Sequence, residues 1–117
     1  MNYEVRLAAE AQTTIAAQLA WYTEDAERGG ERLARRWLEA LELAVGKLST
    51  RPERHGMAPE NGRWHPEVTV RQFQFRPWRS RAGWRVLFAI DDSRRIVTVL
   101  QVRHEKRRFL FESEEGT

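Results

Sequence analysis

The stretch WRVLFAIDDSRRIVTVLQVRHEKR, residues 84–107, decides the fold. In 84–90 the residues Trp84, Val86, Phe88 and Ile90 alternate with others, so they line one face of a strand. Residues 95–103, RIVTVLQVR, are dominated by β-branched side chains and read as a second strand. Asp91-Asp92-Ser93 between them supplies the short polar residues of a tight turn. Upstream, VRQFQFR at 70–76 alternates phenylalanine with polar residues and adds a third strand. If Trp84, Val86 and Phe88 face a core, Arg85 faces away from it.

Working outward, YEVRL at 3–7 alternates apolar and charged residues and predicts a short opening strand. From Ala8 the period changes: Ala8, Ala11, Ile15, Leu19 and Tyr22 predict an amphipathic helix to about Glu27. Gly29-Gly30 ends it. Leu33, Trp37, Leu41, Ala44, Val45 and Leu48 form the stripe of a second helix, which should stop near Ser49 because Arg51 precedes Pro52. So short a joint predicts an antiparallel helical hairpin. The expected fold is α+β: an N-terminal strand, the hairpin, then a three-stranded antiparallel meander, with the helices on one sheet face and the other face open. Residues 1–117 make one domain, with a charged tail over about 109–117.

Residues 50–67 carry Pro52, Gly56, Pro59, Gly62 and Pro66, a long loop of the kind that tends to be functional or mobile. Trp21-Tyr22 and Trp37 fall on helix stripes and read as core. Trp64 and Trp78 fall in loops, where an aromatic is harder to explain by packing and exposure for a partner is an open reading.

The formal net charge of +3 hides a strong asymmetry. Residues 63–108 hold twelve arginines and lysines against four acids, while residues 1–62 hold eight against ten. Guanidinium groups interleaved with Phe73, Phe75, Trp78 and Trp84 suit nucleic acid or an acidic protein. Arg71, Arg76, Arg81 and Arg107 are the candidate nucleic-acid contacts. For arginines in or beside turns (Arg79, Arg81, Arg94, Arg95) simple solvation is the favoured reading. For Arg85, function and an internal ion pair with Asp91 or another acid weigh equally.

The chain has no cysteine, which excludes disulfides and thiolate chemistry. No apolar run approaches the ~20 residues of a membrane span, and the N-terminus lacks a signal pattern. A soluble, cytoplasmic protein without membrane association is expected. There is no glycine-rich phosphate loop and no HExxH, and His55, His65 and His104 are too scattered for a metal site, so no cofactor is expected. One constellation remains: Arg85 with the segment holding Arg103, His104 and Lys106. Cations at one mouth of the sheet, with a histidine for proton transfer, suit metal-independent RNA cleavage.

The order of elements and three local patterns resemble the RelE/ParE superfamily of bacterial type II toxin–antitoxin toxins. The patterns are Tyr3-x-Val5 followed by Ala11, Ile15 and Trp21-Tyr22; Leu48-x-x-x-Pro52 followed by Gly56; and WRVLFAID (84–91) followed by VTVLQVRHEKR (97–107). Together they cover residues 3–108. The resemblance implies a toxin held by a cognate acidic antitoxin in a hetero-oligomer. RelE-like members cut mRNA on the ribosome and so inhibit translation; ParE-like members poison DNA gyrase and are not nucleases. Under the RelE-like reading Arg85 matches the arginine after the strand aromatic, and Arg103, His104 and Lys106 surround the second catalytic arginine. The lysine pair of RelE enzymes falls near Gln72 and Gln74, Glu105 stands where a base is common, and Phe109 and Phe111 lack the hydroxyl of the late tyrosine. RelE-like mRNA cleavage is the leading expectation, with a gyrase poison and a non-toxic basic binding module as alternatives.

Overall fold

The computed structural model describes residues 2–24, 27, 29–63, 67–78 and 83–104. Strand β1 (Glu4–Leu7) leads into helix α1 (Ala9–Thr23) and helix α2 (Gly30–Gly46). A short 3-10 turn at Lys47–Ser49 closes α2. Arg51, before Pro52, sits in the left-handed region at φ 48 and ψ 56, outside the right-handed helical geometry that a following proline disfavours. Strands β2 (Arg71–Phe75), β3 (Trp84–Asp91) and β4 (Ile96–His104) complete the fold. The sheet order is β1-β4-β3-β2, with β2, β3 and β4 an antiparallel meander and β1 parallel to β4. This is the expected α+β architecture. Helix α1 stops four residues short of the sequence boundary, and α2 at Gly46.

Gly29 adopts φ 110 at the start of α2, where an added Cβ would collide with the Leu33 side chain. Glycine is therefore required at this joint for both conformation and space. The helices pack on the sheet through Trp37, Leu41, Leu48, Phe75, Trp84, Val86, Phe88, Val97, Val99 and Val102. Trp37 is fully buried, with its ring 5.3 Å from Trp84 and 6.3 Å from Phe75. Tyr22 belongs to this core, but Trp21 does not: it is 49% exposed. Trp78 is half-buried and packs edge-on against Tyr22. Trp64 lies outside the described residues.

A β-bulge shapes β4. Leu87 pairs with Gln101 but Phe88 pairs with Val99, so Leu100 is extra. The inward set therefore shifts from Val97 and Val99 to Val102. Without it, period-two alternation would aim Arg103 at the helix-side core; with it, Arg103 stands in register with Arg85.

The sheet face away from the helices is not open, which corrects the sequence expectation. Ala58 and Val70, from the loop between the 3-10 turn at Pro52–Arg54 and β2, pack on Leu87, with Val68 and Leu100 beside them. The loop is laced to itself and to β2: Ala58 N donates to Val70 O, Val70 N to Asn61 Oδ1, and Gln72 N to Gly56 O. At the other end of the sheet, Tyr3 Oη donates to Asp92 Oδ1 at 2.6 Å and accepts from Arg95, tying β1 to the β3–β4 turn. Among the described residues no helix is long and apolar enough to cross a membrane.

Candidate functional site

Arg85 does point away from the helices, as alternation requires, but the loop closes over it. Its side chain is 7% exposed, and its NH2 donates to Glu60 Oε1 at 2.5 Å. Glu60 is fully buried. It sits in a tight turn where Asn61 N donates to Ala58 O and Arg63 N to Glu60 O, which aims its carboxylate under the loop. Arg85 Nε donates to Gln72 Oε1 at 2.9 Å. A glutamine there accepts a bond from the guanidinium, where a lysine would repel it. Arg103 faces Arg85 across the ladder and is also buried. Like charges directly opposite each other are unfavourable in a sheet, and the Glu60 carboxylate offsets part of that repulsion.

Of the other residues singled out by sequence, His104 is half-buried with its ring 5.1 Å from Trp84, against which it packs edge-on. Arg71 spends its guanidinium on the loop, donating to the backbone carbonyls of His55 at 2.6 Å and Glu53 at 3.3 Å. Arg76 is exposed just beyond β2. Lys106, Arg81 and Arg107 lie outside the described residues. Arg85 and Arg103 thus come together, with His104 next along β4; Arg71 is tied into the loop base instead. Sequence reasoning allowed an unnamed acid for Arg85 but did not identify Glu60. Nothing local marks this loop glutamate as buried, because its burial follows from the loop folding back over β3.

His55 packs against Phe73 (5.0 Å) and Phe88 (5.8 Å). Burial, with the Arg54 and Arg71 cations adding to it, pushes its pKa below the ordinary 6.5. The folded protein then holds fewer protons at this site than the unfolded chain, so the contribution is present above pH ~6.5 and lost as pH falls through the lowered value. We expect the urea midpoint to drop between about pH 7.5 and about pH 5.5, with a shallower drop in His55→Gln. Equal slopes in the two proteins would refute this.

Among the described residues no group of three or more His, Asp or Glu side chains could hold a metal ion.

Two comparisons bear on this arrangement. A model of the ParE toxin of type II toxin–antitoxin systems, parDE, matches residues 5–109. The chain belongs to the ParE toxin family. It is a toxin of a type II toxin–antitoxin system. This ParE-family chain is similar in fold to the RelBE2 toxin–antitoxin complex of Mycobacterium tuberculosis, at 24% identity over 90% of this chain and 93% of that one, with a TM-score of 0.51. It is also similar to a double-arginine mutant of the Escherichia coli toxin RelE in the free state, at 16% identity, 91% and 86% coverage and a TM-score of 0.52. At these identities the likeness speaks for the fold. Among curated proteins none matches the ParE-family chain.

Proposed function

We propose that this toxin acts by protein contact, as a ParE-like poison of DNA gyrase, and not by cutting RNA. The single observation that carries the reading is the burial of Arg85 in its ion pair with Glu60. A group that stabilises a developing phosphorane charge must reach the phosphate. The Arg85 guanidinium is desolvated and already neutralised by Glu60, on the sheet face where Ala58 and Val70 pack on Leu87. Gln72 and Gln74 on the neighbouring strand supply no further cations. RelE-like cleavage, the leading expectation from sequence, becomes the second reading; the pairing of Arg85 with Arg103 across the ladder is what favours it.

An antitoxin protein is the cognate partner. The basic character of residues 63–108 favours an acidic segment that orders on binding. A toxin under antitoxin control would act inside the bacterial cell, and the absence of cysteine is compatible with that compartment.

The test is to add the purified toxin to a gyrase supercoiling reaction and, separately, to a translating extract. Loss of supercoiling with intact message is the expected result. Codon-spaced cuts in the message with unimpaired supercoiling would replace this reading by the nucleolytic one.

A further inference from the structure

Helix α1 carries no charged residue from Ala11 to Thr23, in a chain that is 32% charged. Only Ala11 and Tyr22 of that run are buried. Thr13, Thr14, Ala17, Gln18 and Trp21 of it border a groove of about 610 Å³ between α1 and the second half of β4. Strand β1 pairs with β4 only from Ile96 to Val99, so the sheet edge beyond it leaves room for this opening. Its volume is that of an ordinary small-molecule site.

The lining has a distinct chemistry. Five rings contribute: Trp21, Tyr22, Trp78, Trp84 and His104. Only Ala17 and Val102 are aliphatic. A groove that receives the apolar face of a peptide helix wants aliphatic pockets, whereas indole and imidazole faces suit a flat heteroaromatic ring. Thr13 and Gln18 on the opposing helix offer hydroxyl and amide groups for polar base edges. A cation sits beside the groove: the exposed Arg36 lies 6.0 Å from the Trp78 ring centroid. Guanidinium groups beside stacking rings match a phosphate attached to a base.

We propose that this groove binds a nucleotide unit, with the base stacked at Trp21 and the phosphate directed to the Arg36 cation. The site is separate from the Arg85–Glu60 pair, so the proposal stands apart from the gyrase reading. The same chemistry is presented by a free nucleotide and by one unit of a single strand.

The full chain would be titrated with AMP and with a ten-residue oligoadenylate, by tryptophan fluorescence quenching and calorimetry. Trp21→Ala and Arg36→Glu change exposed side chains, so folding should survive; Leu43→Ala, on the exposed side of α2, is the control. Binding that weakens about ten-fold or more in Trp21→Ala, as base-stacking losses do, supports the site. Arg36→Glu should weaken it as well, and Leu43→Ala should leave it unchanged. If AMP and the oligomer both bind, the free nucleotide suffices; if only the oligomer binds, the strand is the source. No binding of either at millimolar concentration overturns the proposal. So does binding that is indifferent to Trp21→Ala, or shielding of Trp21 by an acidic amphipathic peptide where nucleotides give none.

Discussion

Arg85→Ala is expected to lose about 3–5 kcal/mol of stability, because the substitution leaves the Glu60 carboxylate buried without its guanidinium. Domains of this size are stable by about 5–15 kcal/mol in total, so the variant should melt on the order of 10–20 °C lower. Glu60→Ala should behave alike, with the charge of opposite sign left uncompensated. The paired variant Glu60→Leu with Arg85→Leu should recover most of the loss, since apolar groups of similar size replace a buried ion pair at little net cost. Urea denaturation of the three proteins measures this directly. An Arg85→Ala protein with the parent's midpoint would mean that the ion pair does not hold the loop.

The consequence reaches the function. Loss of toxicity in Arg85→Ala would reflect unfolding as readily as lost chemistry. The paired leucine variant separates the two: a gyrase poison should remain toxic in it, and a nuclease that needs the guanidinium should not.

Trp37→Ala should cost about 3–5 kcal/mol through the cavity left among Phe75, Trp84 and the helix stripe. Trp37→Phe should cost far less. The Trp37 indole N–H finds no acceptor among the described residues, so phenylalanine removes a buried, unsatisfied donor along with part of the ring volume. The two midpoints in a denaturant series decide it. Equal losses in the two variants would show that the cost does not follow the ring volume removed.

Much of the fold could be read from periodicity. The Leu33–Leu48 stripe marked α2, and the 84, 86, 88 alternation marked the inward face of β3, because burial on one side forces a repeat on the chain. The limits of this reading appear at particular residues. Trp21 sits next to the buried Tyr22 and looks equally apolar, yet one residue is 100° round a helix, enough to leave half of it in solvent. Leu100 gives no local sign of being the bulged residue, and a period-two count from Val97 wrongly turns Arg103 inward. Of the candidate site, the side of the sheet for Arg85 was legible, and its partner was not.

By itself the sequence determined the helical hairpin, the meander, the outward sense of Arg85 and the concentration of cations in residues 63–108, all of which follow from local spacing and composition. Only the tertiary structure decided that Ala58 and Val70 pack over that outward face, that Glu60 neutralises Arg85, and that an aromatic groove opens beside β4 where β1 ends. The physical reason is range: periodicity reports which side of an element faces a core, but the burial of a charge depends on a segment 25 residues away in the chain finding it.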